Sequence, residues 1–165
     1  MKPISENQID QTLDELDEFT EEIASEKLAE IANVQPELLS FVVEFTEEMS
    51  PDVQELSFYM FFVIYRTFQA AYGKNIEEIS LDEIIEVHEK NEALMDKLEG
   101  THEKFIERIA ETQLMQQPHL MSYVVEALVE ESEDEELEPL SEEESGILFL
   151  LSKIVIEVLD RKTEE

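Results

Sequence analysis

The sequence predicts an all-α fold, a helical bundle or short α-solenoid of about seven to eight helices, and three features point to it. Only three Gly and five Pro occur in 165 residues, too few for the turns that many short strands would need. Apolar residues recur at spacings of three and four between acidic ones, the period of one helix face. Helix-start signals, namely Ser before Pro and Ser three residues before Glu, punctuate the chain. A core is expected despite 33% charged residues, because 42% are hydrophobic, with nine Phe and four Tyr. The length suits one domain spanning 1–165.

Ile9, Leu13, Leu16, Phe19 and Ile23 form the first apolar stripe, in a helix beginning near Glu6 and continuing through Leu28 and Ile31 after a kink near Thr20. Gln35-Pro36 restarts the chain, since Pro suits a first helical position, and Leu38, Leu39, Val42, Val43 and Phe45 make the next face. Ser50-Pro51-Asp52 reads as an N-cap, a Pro at N1 and an acid in the first turn, opening a helix that runs to about Tyr72 with Gly73 as its C-cap. Its middle, Phe58 to Tyr65, is apolar on every side. Such a helix is either central or awaiting a partner. Ser80-Leu81-Asp82-Glu83 is a capping box with Ile79 and Ile84 as a hydrophobic staple, opening a helix that ends near Gly100. Thr101 and Gln117-Pro118 open two more. Ser141-Glu142-Glu143-Glu144 is a second capping box, for a last helix to about Arg161. The intervening 130–140 stretch is nearly all Glu, Asp and Ser, and self-repulsion without apolar anchors predicts a mobile acidic loop there.

The chain also resembles itself. Gln35-Pro36-Glu37-Leu38-Leu39-Ser40-Phe41-Val42-Val43-Glu44 matches Gln117-Pro118-His119-Leu120-Met121-Ser122-Tyr123-Val124-Val125-Glu126, identical at seven of ten positions. The same offset of 82 pairs Leu16 with Leu98, Ile23 with Phe105 and Asp14 with Asp96. Two tandem, sequence-related helical units are therefore expected, approximately 6–73 and 81–161, each ending in its most hydrophobic helix.

Forty-three acids against 11 bases give a net charge of −32, a field that repels nucleic-acid backbones and anionic membrane surfaces and favours a basic protein partner. Cysteine is absent, which removes disulfides, thiol nucleophiles and thiolate metal ligation. The polar, acidic start of the chain lacks an apolar signal core, and Phe58 to Tyr65 is far too short to span a bilayer, so the expected setting is cytoplasmic. Isolated glycines cannot build a dinucleotide or P-loop cradle, and no G-x-S-x-G is present. The expectation is a noncatalytic interaction module, an adaptor, inhibitor or dedicated chaperone without a cofactor, that presents acidic helical faces to a basic partner. One alternative is a carboxylate/histidine metal-binding bundle using Glu86, His88, Glu99 and His102, although Gly100 breaks the helical spacing that Glu99 and His102 would need. Another is a structural homodimer. Calcium on the acidic stretch lacks the loop glycine and alternating ligands of an EF-hand. Candidate interaction residues are Arg66, a base in a very apolar helix, and Glu130, Glu131, Glu133, Asp134, Glu135 and Glu136. Lys153 is the corresponding lone base in the final helix, where an unpaired buried charge would be costly.

Overall fold

The computed structural model describes residues 3–73, 76–98, 117–133 and 141–163, with the side chains of 94–98, 129–133 and 142 left aside. Among the described residues there are seven helices and no strand. They are α1 (Glu6–Asp17), α2 (Glu21–Val34), α3 (Pro36–Phe45), α4 (Pro51–Tyr72), α5 (Leu81–Leu98), α6 (Pro118–Glu133) and α7 (Glu142–Thr163).

Most boundaries follow from cap chemistry. The Ser50 hydroxyl accepts from Val53 N–H at 3.4 Å and Pro51 fills the first turn of α4. Gly73 ends that helix at φ 103°, a left-handed value that a side chain would strain. Ser80 and Glu83 form their reciprocal pair: the Ser80 hydroxyl accepts from the Glu83 N–H at 3.2 Å and the Glu83 carboxylate accepts from the Ser80 N–H at 2.7 Å. Ser141 and Glu144 do the same at 3.0 Å each. A third box, Ser5 with Gln8, opens α1. The stripe through Thr20 is broken rather than kinked. Thr20 is an N-cap whose hydroxyl takes the Ile23 N–H at 3.2 Å, so α1 and α2 are separate helices. At the other end of the chain α6 runs to Glu133, so the acidic stretch begins on helical backbone, and 134–140 lies outside the described residues.

The two 22-residue helices, α4 and α7, pack against each other at the centre. Residues 60–65 of α4 and 151–159 of α7 are buried without a break. Neither helix has a polar face wide enough for water, so both are sheathed by neighbours. Helix α1 covers α4, α5 covers α7, α3 touches both central helices and α5, and α6 bridges α7 and α1. The apolar centre is thus covered within a single chain.

Two buried glutamines tie the ends of this sheath together. Gln35, 0% exposed, sits in the bend between α2 and α3. Its Oε1 accepts from the Ile79 N–H at 2.9 Å and its Nε2 donates to the Ile76 and Glu77 carbonyls at 3.3 and 2.8 Å. Gln117, 2% exposed, precedes α6. Its Oε1 accepts from the Ile4 N–H at 2.9 Å and its Nε2 donates to Asp160 Oδ1 at 2.7 Å. Ile79 and Ile4 each stand immediately before an N-cap serine, Ser80 and Ser5. Each glutamine therefore fixes the entry to a helix far away in sequence.

Truncating either side chain leaves a buried backbone N–H without its acceptor. Gln35→Ala and Gln117→Ala should each lower the unfolding free energy by about 2 kcal/mol, measured by urea denaturation. A loss under about 0.5 kcal/mol at either position, the range of an ordinary surface change, would show that this clasp does not hold the helix entry.

Candidate functional site

Acid placement is the dominant surface feature. Residues 3–73 carry sixteen carboxylates, from Glu6 to Glu55, and every one is exposed. The same span carries only two bases, Lys27 and Arg66. Lys27 Nζ lies 3.7 Å from Glu30 Oε2, and the Arg66 guanidinium is paired with Glu15 while its Nη1 donates to Gln69 Oε1 at 3.2 Å. Both cations are already paired within the chain. The amphipathic period explains the arrangement, since α1 buries Ile9, Thr12 and Leu16 and turns Asp10, Asp14 and Asp17 to water.

Among the described side chains, the lysines and arginines beyond residue 73 gather where α5 meets α7. Lys153 and Glu157, one turn apart on α7, are only 6% and 7% exposed and 3.4 Å apart. Asn91 of α5, 1% exposed, joins them: its amide N–H donates to Glu157 Oε2 at 2.8 Å, and its carbonyl oxygen accepts from Lys153. Lys90 caps the cluster from outside at 3.1 Å from Glu157 Oε1, and Arg161 reaches the same oxygen at 3.9 Å. Burial holds the Lys153 ammonium below the ordinary lysine range, an effect the Glu157 charge partly offsets. Burial also works to raise the Glu157 carboxyl, but the Asn91 hydrogen bond and the Lys153 and Lys90 charges outweigh it and hold Glu157 below its usual value. This is a satisfied buried ion cluster.

A cleft of ≈ 230 Å³ lies beside it, lined by Ile79, Glu83, Glu86, Val87, Val158, Arg161 and Lys162. Its charges are mutually paired, Lys162 with Glu83 at 2.9 Å and Arg161 with Glu86 at 3.7 Å. Glu83 is held below the usual carboxylate range first by the Ser80 backbone N–H and then by Lys162, so it serves a helix cap and an inter-helix pair together.

Glu86 and His88 do not converge. Two residues apart on α5, they point to different neighbours: Glu86 to Arg161, and His88 to the rings of Phe41 and Phe45 on α3, at centroid distances of 5.5 and 5.6 Å. His88 Nε2 also lies 3.1 Å from Glu92 Oε1. Glu99 and His102 fall outside the described residues. So do Asp134, Glu135 and Glu136 and the side chains of Glu130, Glu131 and Glu133. Among the described residues no three His, Asp or Glu side chains gather to hold a metal ion, and no helix is long and apolar enough to cross a membrane. Arg66 bridges α4 to α1 through Glu15. Asn91 and Glu157 carried no signal in the sequence, because what marks them is a contact across 66 residues.

The sign of the Glu157 shift gives a pH test. A carboxylate depressed in the folded state contributes stability above its unfolded pKa, near the ordinary 4.5, and loses it as the pH falls through the lower folded value. At pH 7 Glu157→Gln should cost about 3 kcal/mol by leaving Lys153 buried without its anion. The difference from the parent chain should shrink progressively below pH ~4.5. Paired denaturation curves from pH 7 to 3 cancel the titration that both chains share, and a constant difference across that range would refute a charged, stabilising Glu157.

Compared with protein-family models, with curated proteins and with solved structures, the chain matches none.

Proposed function

We propose that this protein is a noncatalytic interaction module, an adaptor, inhibitor or dedicated chaperone, which presents acidic helical faces to a basic protein partner. The observation that carries this reading is that all sixteen carboxylates of residues 3–73 are exposed while both bases of that span are paired internally. Little of the acidic field is cancelled by the chain's own cations there, so counterions must come from solution or from a ligand. A multivalent basic surface gains by releasing those small ions and by steered encounter. The metal-bundle alternative is less well supported, because Glu86 and His88 turn to different neighbours. The homodimer alternative loses its main motive, because the long apolar helices bury against each other.

We also propose that the frame is two tandem related units. The twin glutamine clasps, each ahead of a Pro-started helix and each holding the residue before an N-cap serine, support this reading. Counted from cap serines, the correspondence shifts along the chain: 75 between Ser5 and Ser80, 82 between the Gln-Pro pairs and 91 between Ser50 and Ser141. Leu16 then corresponds to Asn91 rather than to Leu98.

Capture from source-cell lysate on the immobilised chain tests the interaction reading. A basic protein should be retained stoichiometrically and released as salt rises toward 1 M, where screening shrinks to about 3 Å. Converting Glu21, Glu22 and Glu26 on the exposed side of α2 to Gln should weaken that retention several-fold without moving the unfolding midpoint by more than a surface change does. Retention of nothing beyond generic basic proteins, or retention indifferent to salt, would overturn it.

A further inference from the structure

Two of the inter-helix ion pairs occupy matching places with their signs inverted. Glu15 and Lys90 each lie ten residues beyond their N-cap serine, Ser5 and Ser80. Arg66 and Glu157 each lie sixteen beyond theirs, Ser50 and Ser141. Glu15 on α1 pairs with Arg66 on α4, and Lys90 on α5 pairs with Glu157 on α7. The next positions differ in kind as well. Leu16 and Phe62 are apolar where Asn91 and Lys153 form a buried polar contact.

We propose that this inversion is an address that seats α1 on α4 and α5 on α7 and bars their exchange; the inference rests on the tandem reading above. Two similar units in one chain face an ambiguity, since each central helix offers a seat that either covering helix could occupy. The glutamine clasps cannot resolve it, because each reads a backbone N–H that every non-proline residue carries. The charges resolve it. In the exchanged arrangement Glu15 meets Glu157 and Lys90 meets Arg66, so both attractions become repulsions. Leu16 then lies against Lys153 in place of Asn91, and a buried ammonium loses an acceptor. Ion pairs at such positions add little net stability, yet like charges opposite one another are strongly disfavoured, so their value lies in discrimination.

The chain has no cysteine, so introduced thiols report seating cleanly after refolding from denaturant. Tyr59 lies on α4, against which α1 packs, and burial first and the Asp17 charge second push its phenol up, so Asp17→Cys with Tyr59→Cys is the reporter of the native seat. Leu150 lies nine residues beyond Ser141, as Tyr59 lies nine beyond Ser50, so Asp17→Cys with Leu150→Cys reports the exchanged one. Glu15→Lys should raise exchanged disulfide capture about fivefold over the same reporter in the otherwise unchanged chain, the population shift expected from about 1 kcal/mol. Adding Arg66→Glu, which gives both seats the same sign, should keep it raised. Full native capture with exchanged capture at background in both variants would overturn the address while leaving the tandem reading intact. Loss of native capture with no exchanged capture would overturn both, because a displaced α1 would then have no second seat to take.

Discussion

Helices α4 and α7 are apolar around most of their circumference, and each removes part of the other from water. This contact is the constraint from which the remaining arrangement follows. Fully burying a large apolar side chain is worth about 1.5–3 kcal/mol, and six consecutive residues of α4 and six apolar residues within 151–159 of α7 are buried. Concentrating the apolar groups in two helices lets α1, α3, α5 and α6 remain thin covers, while α2 buries only Ile31. That division reconciles a net charge of −32 with a folded core, since the carboxylates of the covers can stand outward at little cost while the centre excludes water.

Covering helices make a second demand, because the chain must enter each of them at a fixed angle. The segments before α1 and α5 carry backbone groups that no helix satisfies. An amide side chain is suited to the task, since it accepts and donates at once. Gln35 uses both capacities on 76–79, and Gln117 uses both on Ile4 and Asp160. The proline after each glutamine removes a donor that a first helical turn would leave idle. Cap, clasp and proline thus form one working unit in which a bend between two helices anchors the beginning of a third.

Helix starts were legible in the sequence because they are local: Ser50-Pro51, Ser80 with Glu83, and Ser141 with Glu144 each contain their own chemistry within four residues. Gly73 was legible for the same reason. The break between Asp17 and Glu21 was not, since Thr20 lies within a continuous apolar period and its capping role depends on the turn it makes. The shared Gln-Pro decapeptide was visible, but only its Pro, Leu and Val positions had an evident role. The glutamine's partners lie 41 to 44 residues away at Gln35 and as far as 113 at Gln117. Lys153 stood out as a misplaced charge, whereas Asn91 and Glu157 looked ordinary. Glu86 and His88 looked like neighbours, yet two residues along a helix turn the chain by about 200°, toward Arg161 in one case and Phe41 in the other.

Charge pairing in turn shapes the surface. Among the described side chains, Lys90, Lys153, Arg161 and Lys162 all lie on α5 and α7, which they link through Glu157, Asn91, Glu86 and Glu83 respectively. The α1–α4 contact has the apolar Leu16 and Phe62 at the matching positions and a single exposed bridge beside them. It therefore draws few cations to its side of the molecule. Among the described side chains, the polar contact gathers the bases of α5 and α7, while residues 3–73 hold sixteen carboxylates against two bases. The same pairing that joins α5 to α7 thus also sets where unpaired carboxylates face water. The internal pairing and the external field are two consequences of one distribution of charge.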